Sequence, residues 1–195
     1  MSAIKRSRPS PAKRRTQQGV ASVEFAIVAV FFLTLVFGIL EIARAMYICN
    51  TLQEVTRRAA ALATNTNFSD GPAMQAVRER AVFRNSPGFL WFADPITDQH
   101  INIDYMRVRR NGNALTMEAI PTSALPADPA QNNVNCMRDP YGEACIRLVR
   151  VRVCQPGSGE ECGPVTYRTL VSLIPIPFPL PRSTTIANAE TLGMQ

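Results

Sequence analysis

From Val20 to Leu40 the chain runs for 21 residues with one ionisable side chain, Glu24, and its last 16 positions, Phe25 to Leu40, carry no charge. As a helix rising about 1.5 Å per residue, such a segment reaches roughly 30 Å, the thickness of a bilayer's hydrocarbon core. Its length favours a membrane span over the alternative of a buried core helix. A cleavable signal peptide fits less well, because its apolar stretch is shorter and ends in a small-x-small site, whereas this one continues through Phe37-Gly38-Ile39-Leu40.

Charge sets the direction of the span. Lys5, Arg6, Arg8, Lys13, Arg14 and Arg15 precede it, whereas the twenty residues after it hold three cations (Arg44, Arg57, Arg58) and two acids (Glu41, Glu54). Cations cluster on the cytoplasmic side, so the N-terminus is expected to stay in the cytoplasm and residues 41–195 to cross the membrane. Those six cations account for the whole net charge of +6, since the remaining 15 Lys and Arg match 15 Asp and Glu. A folded basic face for nucleic acid is therefore not expected. A lone histidine, His100, excludes sites that need two imidazoles.

Glu24 lies four residues inside the apolar segment, where an ionised carboxylate costs a few kcal/mol unless it is paired or reaches the interface. One reading is a side chain that reaches the head groups. Its surroundings suggest another: Lys13-Arg14-Arg15-Thr16-Gln17-Gln18-Gly19, then Val20-Ala21-Ser22-Val23-Glu24-Phe25, resembles the processing site of a type IV pilin precursor. The likeness continues through Phe37-Gly38-Ile39, Glu41, Arg44-Ala45, Tyr47, Asn50-Thr51-Leu52 and Arg58-Ala59-Ala60, which together resemble the N-terminal helix of the TadE-like family. These are minor pilins, or pseudopilins, of the tight-adherence (Flp-type) pilus system. The tail Pro181 to Ile186 and Ala189 to Gly193 is similar to the end of the family's longer members, and Ala29-Val30 departs from an early proline common in the family.

The resemblance implies cleavage between Gly19 and Val20 by a prepilin peptidase, with Glu24 and Phe25 completing the processing motif and Glu24 serving as an assembly contact. It implies other pilins, minor pilins and an inner-membrane assembly platform as partners. The expected location is the bacterial inner membrane, single-pass, with the C-terminal domain in the periplasm and possible incorporation into the pilus.

The expected organisation is a basic cytoplasmic leader (1–19), a transmembrane and amphipathic helix (20–64), and a periplasmic domain (65–195). The fold class is α+β, with an antiparallel sheet of about four strands. Past the span, Ile42, Ala45, Cys49, Leu52, Val55 or Thr56, Ala59 and Leu62 recur at helical spacing, and Glu54 and Arg58 stand four apart where they can pair. Cys49 on that stripe is expected to be a small core residue. Asp70-Gly71-Pro72 opens a shorter helix to about Phe83, with Asp70 as cap. The turn-rich segment Asn85 to Pro95 carries Phe89, Leu90, Trp91 and Phe92, expected to close a small core. Ile101, Ile103 and Tyr105 alternate, and Asn111-Gly112 turns a hairpin into Leu115 to Ile120. Further strands are expected at Cys145 to Cys154 and Val165 to Ile174. The first carries Arg147, Arg150 and Arg152 on a wet face, or alternatively on an arginine-lined binding face. Ala124 to Tyr141, with Pro126, Pro129 and Pro140, reads as a long irregular loop, and Pro175, Pro177, Pro179 and Pro181 as an edge or polyproline-like arm.

Four of the five cysteines, Cys136, Cys145, Cys154 and Cys162, fall within 27 positions of the exported part, as expected of an oxidising compartment. Of three connectivities, Cys136 with Cys145 and Cys154 with Cys162 is favoured, since each closes a short loop rich in turn residues. A four-thiolate zinc site lacks the paired spacing that metal knuckles use, so no metal and no cofactor are expected. Asp94, Asp98 and His100 lie close together, but no nucleophile elbow, phosphate loop or metalloprotease helix accompanies them, and an enzyme is not expected. The competing reading to a pilin is an uncleaved membrane-anchored periplasmic adaptor or binding module.

Overall fold

The computed structural model describes residues 18–158, 161–170, 178–189 and 191–193. The basic leader up to residue 17, and the prolines at 175 and 177, lie outside them. The chain divides after Leu40 into two units.

Helix α1, Gln18–Ala63, provides all the described structure of the first unit. Its residues there are almost all exposed, including Phe25, Phe31 and Phe32, as an apolar helix is when only lipid or another protein is left to cover it. By length and composition the helix is able to cross a membrane once.

In the second unit, Ile48, Leu52, Val55, Thr56, Ala59, Ala60 and Ala63 of α1 are fully buried. The stripe is thus set by Ile48 rather than Ile42, which is exposed. Cys49 is free and half-buried beside it. Helix α2, Gly71–Ala81, starts where Asp70 accepts a hydrogen bond from the Ala73 amide, with a proline in the first turn that has no amide to leave unsatisfied. It buries Met74, Val77 and Ala81 in the same core. Arg58 does not pair with Glu54; its guanidinium lies over the ring of Phe83, 4.9 Å from the centroid.

Four strands form one antiparallel sheet: β1 Ile101–Asn111, β2 Ala114–Ala119, β3 Leu148–Val153 and β4 Thr184–Asn188, in the order β2-β1-β3-β4. The long β1 is shared, its first half pairing with β3 (Ile101 with Val153) and its second with β2 (Asn111 with Ala114). The Asn111-Gly112 turn forms as the sequence suggests, with Gly112 at φ 61°, a conformation glycine adopts without steric cost. Val149, Val151 and Val153 of β3 face the core. Arg150 and Arg152 point the other way and share one carboxylate, Asp104, at 3.0 and 2.8 Å. On that face the two guanidiniums are held together by a single carboxylate. β4 closes the sheet onto the helix through a Thr185–Thr56 hydroxyl contact of 2.9 Å.

Three further expectations give way. The segment Ala124 to Tyr141 is not an irregular loop: helix α3, Pro129–Arg138, occupies its middle, capped by Asp128, which accepts from the Gln131 amide at 2.7 Å. The fourth strand is Thr184–Asn188, whereas the described part of Val165 to Ile174 makes only an isolated bridge between Thr166 and Pro179. Finally, Phe89, Trp91 and Phe92 do not close a core. Leu90, Ala93 and Ile96 go inward and the three aromatic rings remain exposed.

Candidate functional site

Gly19, Val20, Glu24 and Phe25 lie in the first two turns of α1. A side chain added at Gly19 would meet no described atom within 4 Å beyond the helix's own backbone. Val20 and Glu24, one turn apart, stand on the same side of the helix, about 6 Å along its axis. Val20, Val23, Glu24 and Phe25 are all exposed. The arrangement is a glycine in the first turn of α1, a carboxylate five residues on, and an uncharged apolar run from Phe25 to Leu40.

The cysteines lie in the second unit as two disulfides, Cys136–Cys145 and Cys154–Cys162. The first ties α3 to the approach to β3, where buried Asn132 adds a second tie. Its Oδ1 accepts from the Ile146 amide at 2.8 Å, and its Nδ2 donates to the Ile146 carbonyl at 3.4 Å. The second closes the Gln155-Pro156-Gly157 turn.

A polar node that sequence reasoning did not assemble sits at the start of the second unit. Glu41 accepts from the Tyr167 hydroxyl and from the Leu170 amide, each at 2.5 Å. Arg44, one turn on, donates from Nε to the Phe92 carbonyl at 2.8 Å and from Nη1 to the Arg168 carbonyl at 2.6 Å. Its Nη2 reaches the Asp94 carbonyl at 3.2 Å, and the guanidinium lies 5.2 Å from the centre of the Tyr167 ring. A planar fork suits this task, since it serves several carbonyls at once while covering a ring. Burial, followed by the hydrogen bond to Glu41, pushes the Tyr167 hydroxyl's pKa upward, so it remains a donor. Glu41, Arg44 and Tyr47 stood out in the sequence only as parts of a resemblance. Their partners lie 44 to 129 residues away, beyond the reach of any local pattern.

The trio Asp94, Asp98 and His100 does not converge on a site. Asp98 is buried and accepts from the Gly88 amide and the Gln75 side chain, both at 2.9 Å. His100 is buried with Nδ1 accepting from the Thr97 amide at 3.0 Å, and burial lowers its pKa. Asp94 is half-exposed and faces Arg168 at 3.8 Å. Asp98 and His100 thus brace the turn that carries the exposed aromatics. Among the described residues, no group of three or more His, Cys, Asp or Glu is placed to hold a metal ion.

Among the described residues, one helix long and apolar enough to cross a membrane precedes an α+β domain with two disulfides, an arrangement consistent with a single-pass anchored protein. Within that class, residues 19–61 match the family model described as TadE-like protein, so the chain carries the TadE-like segment its residues resemble. The matched span takes in the Gly19 junction, Glu24, the apolar run and the Glu41–Arg44 node. It supports a protein associated with the tight-adherence pilus. Comparison with curated proteins and with solved structures returns no match.

Proposed function

We propose that this protein is a minor pilin or pseudopilin of a tight-adherence pilus, cut after Gly19 by a prepilin peptidase and acting in pilus assembly or initiation. In this reading it resides in the bacterial inner membrane with its N-terminus cytoplasmic and the domain of residues 41–195 periplasmic. One observation carries the reading: the exposed apolar run starts directly after Gly19, at Val20, and bears its single carboxylate, Glu24, one turn later. Before cleavage the basic leader holds that bond at the cytoplasmic face. After cleavage Val20 bears a new ammonium group. In a low-dielectric surrounding, an ammonium group on a neighbouring pilin and the Glu24 carboxylate attract far more strongly than in water, and an unpaired carboxylate there is costly. Glu24 then sets the register between packed spans.

The test is co-purification of cross-linked pilins with Glu24→Ala and Glu24→Asp. The Ala variant should insert and be processed normally yet lose most co-assembly, with Asp intermediate. Unchanged co-assembly of the Ala variant would remove the role given to Glu24, because deleting an unneeded intramembrane charge is neutral or mildly stabilising. The uncleaved periplasmic adaptor differs in one respect that N-terminal sequencing reads directly: its chain retains the leader.

A further inference from the structure

The loop Gly88–Ala93 sorts its side chains in an unusual way. Its aliphatic residues Leu90 and Ala93 are buried, while Phe89, Trp91 and Phe92 are 56, 64 and 74% exposed. This is not slack in the loop. The Leu90 amide bonds the Ile96 carbonyl at 2.8 Å, the Ile96 amide bonds the Ala93 carbonyl at 2.8 Å, and buried Asp98 holds the Gly88 amide. Phe92 sits at φ 55°, a backbone conformation costly for a bulky side chain, so the fold holds this ring outward against local preference.

The loop is held against the turns of α1 that follow the apolar run. The Phe92 carbonyl is held by Arg44 and the Trp91 carbonyl by the Tyr47 hydroxyl, at 2.8 and 3.3 Å, while Leu170, 69% exposed, is held through its amide by Glu41. Glu41, Arg44 and Tyr47 are the first two turns after the apolar run ends at Leu40. At about 1.5 Å per residue, Arg44 stands about 6 Å beyond that end, the depth of the head groups. Ile42 and Met46, exposed and one turn apart on α1, extend apolar surface over the same level. Trp, Phe and Leu beside the largely exposed Arg168 are the side chains an interface favours, rings in the outer acyl region and cations at phosphate.

We propose that Phe89, Trp91, Phe92 and Leu170 form an interfacial collar that dips into the outer leaflet of the membrane α1 crosses, seating the domain on the lipid surface. The partner is the bilayer itself. The proposal rests on reading residues 20–40 as a span.

Trp91 is the chain's one tryptophan, so its fluorescence reports the collar without labelling. The full chain is reconstituted into phosphatidylethanolamine–phosphatidylglycerol vesicles that contain phosphatidylcholine brominated either near the head group or near the acyl-chain end. Retention after an alkaline carbonate wash is scored first. The expected result is a retained chain with blue-shifted emission, quenched about twofold more by the shallow bromines than by the deep ones, and weakly by iodide on both sides. A chain stripped by carbonate overturns the span reading and the collar with it. A retained chain whose Trp91 is quenched by iodide and not by bromolipid overturns the collar alone. Blue-shifted emission insensitive to both bromolipids also overturns it, and assigns the rings to a protein partner.

Discussion

Replacing Arg44 by alanine removes the clamp that joins the first turns of α1 past the apolar run to two distant loops. Four acceptors lose their donor: the carbonyls of Phe92, Arg168 and Asp94 and the Tyr167 hydroxyl. The two short bonds, at 2.8 and 2.6 Å, are charge-assisted, each worth about 1.5–3 kcal/mol. Their carbonyls lie near the surface and regain water when the side chain is lost, so the low end applies. The loss should be about 2–3 kcal/mol, equivalent to about 7 °C in Tm for a domain of this size. Arg44→Lys keeps the charge but not the planar fork, and should lose about half as much. The assay is thermal unfolding of the full chain in detergent, with amide hydrogen exchange read at Leu90, Ala93 and Leu170. Exchange there should accelerate well before that of Val149 or Val151 in β3. A Tm within about 2 °C of wild type, with unchanged exchange in both loops, would refute the clamp.

Other perturbations have equally definite outcomes. Asn132→Ala strands the buried Ile146 amide and should cost about 1–3 kcal/mol by denaturant titration, whereas a cost within error would deny it a bridging role. The non-reduced, unfolded full chain should titrate one thiol, Cys49, and five after reduction, and peptide mapping should recover Cys136–Cys145 and Cys154–Cys162. Burial lowers the His100 pKa below its ordinary 6.5, so the unfolded chain takes up the proton first. The stability this neutral imidazole contributes is complete above about pH 6.5 and is lost as the pH falls from there through the lowered folded value. The pH dependence of wild-type stability minus that of His100→Gln should show this slope, and parallel curves would contradict it.

What was legible in the sequence was local. Asp70-Gly71-Pro72 and Asn111-Gly112 encode a cap and a turn in adjacent residues, and both form. The TadE-like segment, residues 19–61, is likewise one contiguous stretch that takes in the apolar run. Helix α3 was hidden by proline density, although Asp128-Pro129 carries the same cap-then-proline signal as Asp70-Gly71-Pro72. Strand β4 has only Thr, Ile, Ala and Asn to show and owes its place to pairing with β3, about 35 residues away in sequence. The aromatic loop inverted expectation because hydrophobicity alone does not separate a core from a lipid-facing surface. The Glu41–Arg44 node was unreadable because its acceptors are backbone carbonyls, which carry no residue identity.

The central claim, that the Gly19–Val20 bond is cut to leave an N-terminal Val20 ahead of Glu24, is tested most directly by the intact mass of the chain from cells that possess the peptidase. The account predicts a species beginning at Val20 for wild type and for Glu24→Ala, and an unprocessed species for Gly19→Leu, whose side chain removes the close access to the backbone that glycine allows. A wild-type mass retaining residues 1–19, or normal trimming of Gly19→Leu, would contradict it.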